Sequence, residues 1–360
     1  MRISREFEIN DEYICTVDTL RETEWDSIVM MFKDATINQT WAWASTMSKK
    51  TSNLVIKRNG SIVAAAMLRI ITLPIANIGI AYIGAGPMWR LRDKDDDIGI
   101  LQHLIHALKE EYVAYRGLFL RISLNIFDNY SEYDRIISVF EKENYHRKNL
   151  NAQTLFLNLN QSLEQIRKSF HSDWRYCLTK AEKNDMQVYQ GNDEKSFITF
   201  RSIYKEMISR KKYDDPTNFD KYEQVYRALP DSLRPTIIIC ESEGVPAAGA
   251  IVSTVGETAI IWLIATGNKG IKCNAAYLVQ WEVIKMLKQL DLSVYDLAGC
   301  SPEKNYDTYR FKYKMIGKEP IVYSQIGVME ACENPVSRIV FNLGMYTQNF
   351  LHLFKKLIHK

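Results

Sequence analysis

The sequence has no apolar run approaching the ~18 residues that a transmembrane helix needs, so no membrane-spanning segment is expected. Its start, MRISREFEINDEY, lacks the apolar stretch of a secretory signal. Proline and glycine are sparse, 9 and 16 among 360 residues, which excludes collagen-like and low-complexity chains. Neither sign of charge is in large excess: 46 Lys and Arg against 43 Asp and Glu give a net +3. A protein that coats nucleic acid through bulk charge is more basic, so any such contact is local. The six cysteines (Cys15, Cys177, Cys240, Cys273, Cys300 and Cys332) form no C-x-x-C pair and have no His at zinc-finger spacing. A structural zinc site and a disulfide scaffold are therefore not expected, and reduced thiols suit the cytoplasm.

What is there is a soluble globular balance, 46% hydrophobic and 25% charged, and one pattern that occurs twice. Residues 54–58 read as a strand, Asn59-Gly60 as a hairpin turn and 62–70 as the returning strand. A strand near 78–83, a charged loop, a helix near 98–115 and a strand at 117–122 follow. The second copy has strands at 236–241, 247–254 and 258–265, with the turn SEGVP after the first, then a helix near 274–290 and a strand at 293–297. Amphipathic, basic helices over 162–184 and 194–212 open the second copy, as helices near 21–33 and 38–48 open the first. The division is 1–150, 151–333 and a C-terminal amphipathic helix over 334–360. The class is α/β (α+β), each domain a mixed, mostly antiparallel sheet flanked by helices.

This order of elements is compatible with the GNAT acyltransferase fold, and residues 274–317 sharpen it. Trp281-Glu282, Tyr295-Asp296, Gly299, Tyr309, Phe311-Lys312 and Gly317 resemble the pattern of the Fem-type (FemA/FemB/FemX) aminoacyltransferases, which extend peptidoglycan side chains. Trp174, Arg175, Lys180, Ala181, Lys183 and Val188 in 171–191, and Tyr204, Met207 and Arg210 in 203–213, are similar to two further segments of that family. INQTWAW (37–43) and IGAGPMW (83–89) add first-half matches. Two departures stand out: no long arm is inserted in the second domain, and Met315-Ile316-Gly317-Lys318 stands where the family ends in Phe-Gly-Gly.

The resemblance implies two tandem GNAT-like domains and N-acyl transfer onto an amine of a peptidoglycan or surface-glycan precursor. The donor is aminoacyl-tRNA or, as the alternative, acyl-CoA used on an amino sugar; either is a cosubstrate, and no resident cofactor or metal is implied. A third reading is a non-catalytic subunit at the membrane surface. In the family the Phe-Lys pair lies in the donor channel, so Lys312, with Phe311, is the leading catalytic candidate. Asp296, at a strand end, is either a general base or a turn cap. Moving an acyl group to an amine needs alignment and oxyanion stabilisation but no covalent nucleophile, and no G-x-S-x-G elbow occurs.

Basic and aromatic residues interleave around the second domain's helices. Trp174, Arg175, Lys180, Arg210 and Tyr213, with Trp262 and Tyr309, are the substrate-binding candidates. Gly267, Lys269, Gly270 and Lys272 form the second copy's strand-to-helix loop, where a CoA pyrophosphate would lie, although the final small residue of that signature is missing. The first copy has Asp93, Asp95, Asp96 and Asp97 there, which repel pyrophosphate. This suggests that the second copy handles the donor and the first helps form the acceptor cleft. His103 and His106 share a helix face with no third ligand in evidence. Val336, Ile339, Val340, Leu343, Tyr346, Phe350, Phe354 and Leu357 mark one face of the tail, which either packs on its own domain or lies on an anionic membrane at the cell's inner face.

Overall fold

The structure is a computed structural model that describes residues 4–72, 78–211, 217–303, 305–339, 341 and 343. The chain forms two compact units, residues 1–150 with the chain from Ile326 onward, and Asn151–Gln325. The first is built on an eight-stranded sheet. Its strands are β1 (Arg5–Asn10), β2 (Tyr13–Val17), β3 (Lys50–Arg58), β4 (Ser61–Thr72), β5 (Gly79–Gly84), β6 (Phe119–Ser123) and β7 (His146–Lys148), with Val328–Ala331 between β6 and β7. Only β5 and β6 run parallel. The helices are α1 (Glu22–Val29), α2 (Trp41–Met47), α3 (Ile98–Lys109) and α4 (Tyr133–Lys142).

The hairpin expected at Asn59-Gly60 forms because both residues adopt positive φ, 49° and 80°, which a type I′ turn requires. Its counterpart in the second unit turns at Glu243 (52°) and Gly244 (72°). Both hairpins carry a bulge at the same place: the register skips Val63 in the first and Ala247 in the second. The shared irregularity supports an internal repeat better than strand order alone, because bulges are preserved features rather than defects.

The helix expected over 98–115 changes character part-way. Asp97 caps α3 by accepting from Gly99 N at 2.9 Å, and Leu101, Leu104, Ile105 and Leu108 bury one face. The next turns, Glu110–Tyr115, are π-helical. Glu111, Tyr112 and Val113 are three consecutive buried residues, which a regular helix cannot turn onto one face. The wider turn, with Arg116 N donating to Glu111 O at 3.1 Å, accommodates them.

The second unit holds β9 (Phe156–Asn158), β10 (Met186–Gly191), β11 (Thr236–Ser242), β12 (Val245–Ser253), β13 (Thr258–Thr266) and β14 (Val294–Asp296) in the order β10-β11-β12-β13-β14-β9. A short β8 (Gln153–Thr154) pairs with Tyr323–Ser324. The helices are α5 (Leu163–Ser169), α6 (Ser172–Lys183), α7 (Glu194–Lys211), α8 (Phe219–Ala228), α9 (Asn268–Lys272), α10 (Ala275–Gln289) and α11 (Tyr306–Ile316). The sheet is buried on both faces. One core includes α6, α10 and α11 residues, such as Trp174, Trp281 and Met315; the other joins α7 and α8 through Phe197, Phe200, Tyr204 and Tyr226. The single helix expected over 162–184 is two, broken at Phe170-His171, whose extended ψ (148° and 147°) ends α5 and starts α6.

From the sequence, 326–333 goes with the second domain, but Val328–Ala331 pairs with β6 and β7 of the first unit. Arg121 on β6 donates to Glu330 at 2.7 Å across that pairing. Of the tail, 335–339 is helical; Ser337 donates to Gly117 O at 2.9 Å and Phe341 stacks on Phe119 at 4.2 Å. Val336, Ile339 and Leu343 are exposed, and 344–360 lies outside the described residues. No described helix is long and apolar enough to cross a membrane. All six cysteines are free thiols.

Candidate active site

In the second unit's sheet β14 ends at Asp296 while its parallel partner β13 runs on to Thr266. β13 pairs with β14 at Thr258–Val294, Ala259–Tyr295 and Ile260–Asp296, and the ladder stops there. On its other side β13 stays paired with β12 as far as Thr266. A bulge lies just past that point: Ile251 pairs with Leu263 and Val252 with Ile261, so Trp262 is the inserted residue. Bulges re-aim strands beside functional sites, and crevices at the carboxyl ends of parallel strands are where α/β sheets take ligands.

Asp296 ends β14, where β13 loses this partner, and is 5% exposed. Its Oδ1 accepts from Thr154 Oγ1 and from Ala298 N at 2.8 Å, so it closes the turn through Ala298, a non-glycine residue at φ 55°. Lys312 Nζ then donates to the next two carbonyls, Ala298 O at 3.1 Å and Gly299 O at 3.0 Å. Burial pushes the Asp296 carboxyl upward, opposed by its hydrogen bonds and by Lys312. Burial pushes the Lys312 ammonium downward, opposed by Asp296. The two groups thus favour each other's charged forms. Lys312 lies on α11, past the end of β14 and the loop that follows it. The bond to Ala298 N matches the turn-cap reading of Asp296.

The other candidates divide between core, cap and surface. Trp174, read as substrate-binding, is a core residue at 1% exposure, with Phe170 at 4.5 Å and Tyr277 at 5.1 Å. Phe311 is half-buried against Tyr277 (5.1 Å) and Trp174 (5.9 Å), so it anchors α11 while its neighbour Lys312 reaches the loop. Arg175 is turned to protein: its guanidinium donates to Lys168 O at 2.7 Å and Phe170 O at 2.6 Å, which caps α5. Lys180 is exposed, 4.6 Å over the Tyr176 ring. Trp262 faces Tyr222 at 4.9 Å. Tyr309 is half-buried beside Tyr313 at 5.4 Å. Tyr213 lies outside the described residues. Arg210, near the end of α7, donates to Asn268 Oδ1 at 3.0 Å and Thr266 O at 2.8 Å and so ties α7 to the β13–α9 turn.

That turn is built for close packing. Gly267 N donates to Ala247 O at 2.8 Å, and a Cβ on Gly270 would stand 2.1 Å from the same oxygen. A Cβ on Gly267 would meet the Glu206 carboxylate at 2.4 Å. Lys269 is paired with Glu243 at 2.7 Å, and Lys272 is exposed. The loop therefore presents an acid, and one of its lysines is neutralised. Gly270→Ala is expected to destabilise the protein by roughly 1–3 kcal/mol through overpacking against backbone, read as a lower denaturant midpoint at unchanged slope. A midpoint equal to that of the wild type would show that the glycine is not needed for packing.

In the first unit the equivalent place is filled. β5 and β6 stay paired over five residues, Ile80–Phe119 to Gly84–Ser123. Gln39, fully buried, donates to Gly84 O at 2.9 Å and accepts from Met67 N at 3.0 Å. Gly86 lies so close that a Cβ there would be 2.5 Å from the Gln39 side chain. Of the acidic loop, Asp96 pairs with Lys33 and Arg90 at 2.9 and 2.8 Å. His106 meets Glu143 at 3.1 Å, and His103 packs on Tyr13 at 4.0 Å.

No protein-family profile and no curated protein matches the sequence; the likeness lies in structure. FemX superposes with a TM-score of 0.75 at 15% identity, over 90% of this chain and 99% of FemX. The chain has the FemX-type fold. A conserved protein of unknown function from Bacteroides thetaiotaomicron matches with a TM-score of 0.58 at 9% identity, over 88% of this chain and 99% of its own. The C-terminal domain of a putative lysylphosphatidylglycerol synthetase from Agrobacterium fabrum matches at 0.51 and 12%, over 78% and 85%. The tandem GNAT-like architecture expected from the sequence is the one found.

Proposed function

We propose that this chain is an N-acyltransferase that moves an aminoacyl group from aminoacyl-tRNA to an amine of a peptidoglycan or other cell-surface glycan precursor. The observation that carries this reading is the end of β14 at Asp296 while β13 runs on, with the Lys312 ammonium and the Asp296-held loop at that point. The FemX-type fold supports it. So does the filled first-unit counterpart, which leaves the donor to the second unit.

The chemistry assigns the residues unequal roles. The neutral amine attacks the donor carbonyl, the C–N bond forms, the C–O bond to the ribose breaks, and the ribose oxygen leaves with a proton. Negative charge gathers on oxygen during this exchange, and a fixed cation beside it lowers its energy. Lys312 is the cation; it commits two N–H groups to carbonyls, and Asp296 favours its charged form against the effect of burial. Asp296 and Thr154 are positioning residues for the 297–300 turn. Arg210 and Tyr309 are retained as substrate contacts, and Phe311 and Trp174 as the aromatic support beneath Lys312.

An aminoacyl-tRNA donor is favoured over acyl-CoA because the Glu206 carboxylate lies against Gly267 and Lys269 is spent on Glu243, which is poor chemistry for a pyrophosphate. The test is transfer of a labelled amino acid from charged tRNA to a nucleotide-linked cell-wall precursor, beside calorimetric titration with acetyl-CoA. Label transfer without saturable acetyl-CoA binding is the expected result. Saturable acetyl-CoA binding without tRNA-dependent transfer would overturn the donor. Binding to anionic vesicles with no transfer from either donor would overturn the enzyme.

A further inference from the structure

Arg69 on β4 and Tyr82 on β5 are cross-strand partners in the first unit, with the guanidinium 4.7 Å from the ring centroid. Their strand neighbours Leu68, Ile70, Ala81 and Ile83 belong to the core that includes the α3 residues. Side chains alternate between the two faces of a sheet, so Arg69 and Tyr82 lie on the other face. They form the last pair of the β4–β5 ladder, because Gln39 is inserted beyond them, bonded to Met67 N and Gly84 O. Nothing in the acyl-transfer reading uses either residue.

Arg69 is a half-buried cation without a counter-charge. Arg5, Arg58, Arg90, Arg116 and Arg121 of the same unit each meet a carboxylate, but among the described residues Arg69 meets none. Burial pushes its guanidinium downward, and the Tyr82 phenol is the one group that opposes this; an acid close by would oppose it too. On the same face its neighbours are Thr51 across on β3 and, one row along, Ile71 and Ile80, none of them acidic. Beyond Tyr82, Arg121 is paired with Glu330 at 2.7 Å, so that acid is already taken. Arg69 and Tyr82 are both partly exposed, and neither the guanidinium nor the Tyr82 hydroxyl is sealed from water. Holding a cation partly out of water costs desolvation that a partner normally offsets. No described residue supplies that partner.

The donors define what the partner can be. A guanidinium presents paired N–H groups in one plane, which fit two oxygens of a carboxylate or phosphate, and the Tyr82 hydroxyl adds a third donor. One positive charge matches one negative charge. This favours a carboxylate, or a phosphate within a diester or diphosphate ester, over a free dianion. Ile71, 60% exposed, and Ile80 continue the face as an apolar row beside the pair, so the oxyanion belongs to an organic molecule rather than to an inorganic ion.

We infer that Arg69 and Tyr82 form a binding site for a singly charged oxyanion of an organic ligand, which takes the paired N–H groups of the guanidinium and the Tyr82 hydroxyl. The choice of glycan probes below rests on the acyl-transfer reading; the site itself does not. The test is calorimetry of the full chain, wild type and Arg69→Met, with three probes. UDP-N-acetylglucosamine carries phosphate but no carboxylate, N-acetylmuramate carries a carboxylate but no phosphate, and hexanoate is a carboxylate with no sugar. Saturable binding of at least one, about tenfold or more weaker in Arg69→Met, is expected from the loss of a charged, paired donor; which probe binds identifies the anion. Arg69→Lys should recover only part of the affinity, because an ammonium keeps the charge but not the paired geometry. Without ligand, Arg69→Met should melt close to the wild type, since the apolar stem is kept and no ion pair is lost. Hexanoate binding that depends on Arg69, with neither glycan probe bound, would keep the site and count against the glycan acceptor. Binding of no probe, or equal affinity in Arg69→Met, would overturn the inference. So would a ligand-free Arg69→Met that melts well below the wild type, which would assign the guanidinium to the fold rather than to a ligand.

Discussion

Lys312→Ala is expected to slow acyl transfer by about 10²- to 10³-fold, the usual loss when one donor to a developing oxyanion is removed. The same substitution should cost little stability. Lys312 is half-buried, and water can reach the Ala298 and Gly299 carbonyls that it leaves. The fold is held from the other side of α11, where Phe311 packs on Tyr277 and Met315 is 1% exposed. Lys312→Arg should not restore the rate. The Lys312 ammonium acts as a point charge that meets two adjacent carbonyls, and a planar guanidinium on a longer stem cannot reproduce that geometry. Asp296→Asn provides the comparison, since an amide can still accept from Ala298 N but no longer favours the charged lysine. Its loss should appear mainly in kcat, with donor KM little changed. The measurement is single-turnover transfer at saturating donor, beside a thermal melt. A Lys312→Ala protein that transfers at the wild-type rate would remove Lys312 from the chemistry.

How much of this could be read from the sequence depends on how local each signal is. Asn59-Gly60 is readable because positive φ at both turn positions selects those residue types, and the repeated strand-turn-strand order follows from it. The buried stripe of α3 is readable because Leu101, Leu104, Ile105 and Leu108 recur at helical spacing. The π-helical turn is not, since Tyr112 fits the same spacing and only the burial of Glu111 beside it breaks the pattern. The strand Val328–Ala331 looks like any edge of the second domain; its partner β6 lies some two hundred residues earlier, and no local pattern encodes that pairing. Only the order of its neighbours singles out Lys312 in the sequence. Trp174 illustrates the opposite limit: an aromatic among basic residues looks like a ligand platform in sequence, but its helix turns the ring inward and leaves Lys180 outside.

Glu111→Ala is expected to destabilise the first unit by about 3–5 kcal/mol, the range for removing one partner from a buried ionic cluster. Glu111 is fully buried and holds two arginines, Arg5 at 2.9 Å and Arg116 at 2.7 Å. Arg116 continues to Asp18 at 3.1 Å, and Ser52 joins Asp18 at 3.0 Å to the buried Tyr112 hydroxyl at 2.7 Å. The carboxylate is thus the anchor that ties the π-helical turn to β1 and to the start of β3. Its removal leaves the Arg116 guanidinium with one carboxylate fewer in a site that water enters poorly, whereas Arg5 is a third exposed and can rehydrate. Arg5→Ala should therefore cost much less, about 1 kcal/mol or below. The two variants separate burial from pairing, because both break the same 2.9 Å bond but only Glu111→Ala also takes a carboxylate from the less exposed Arg116. For a unit of this size the expected fall in melting temperature with Glu111→Ala is roughly 10 °C. It should be accompanied by faster hydrogen exchange in β1, α3 and the turn that follows, while the second unit keeps its protection. If Glu111→Ala melts no lower than Arg5→Ala, the cluster is not what holds the turn in its wider form.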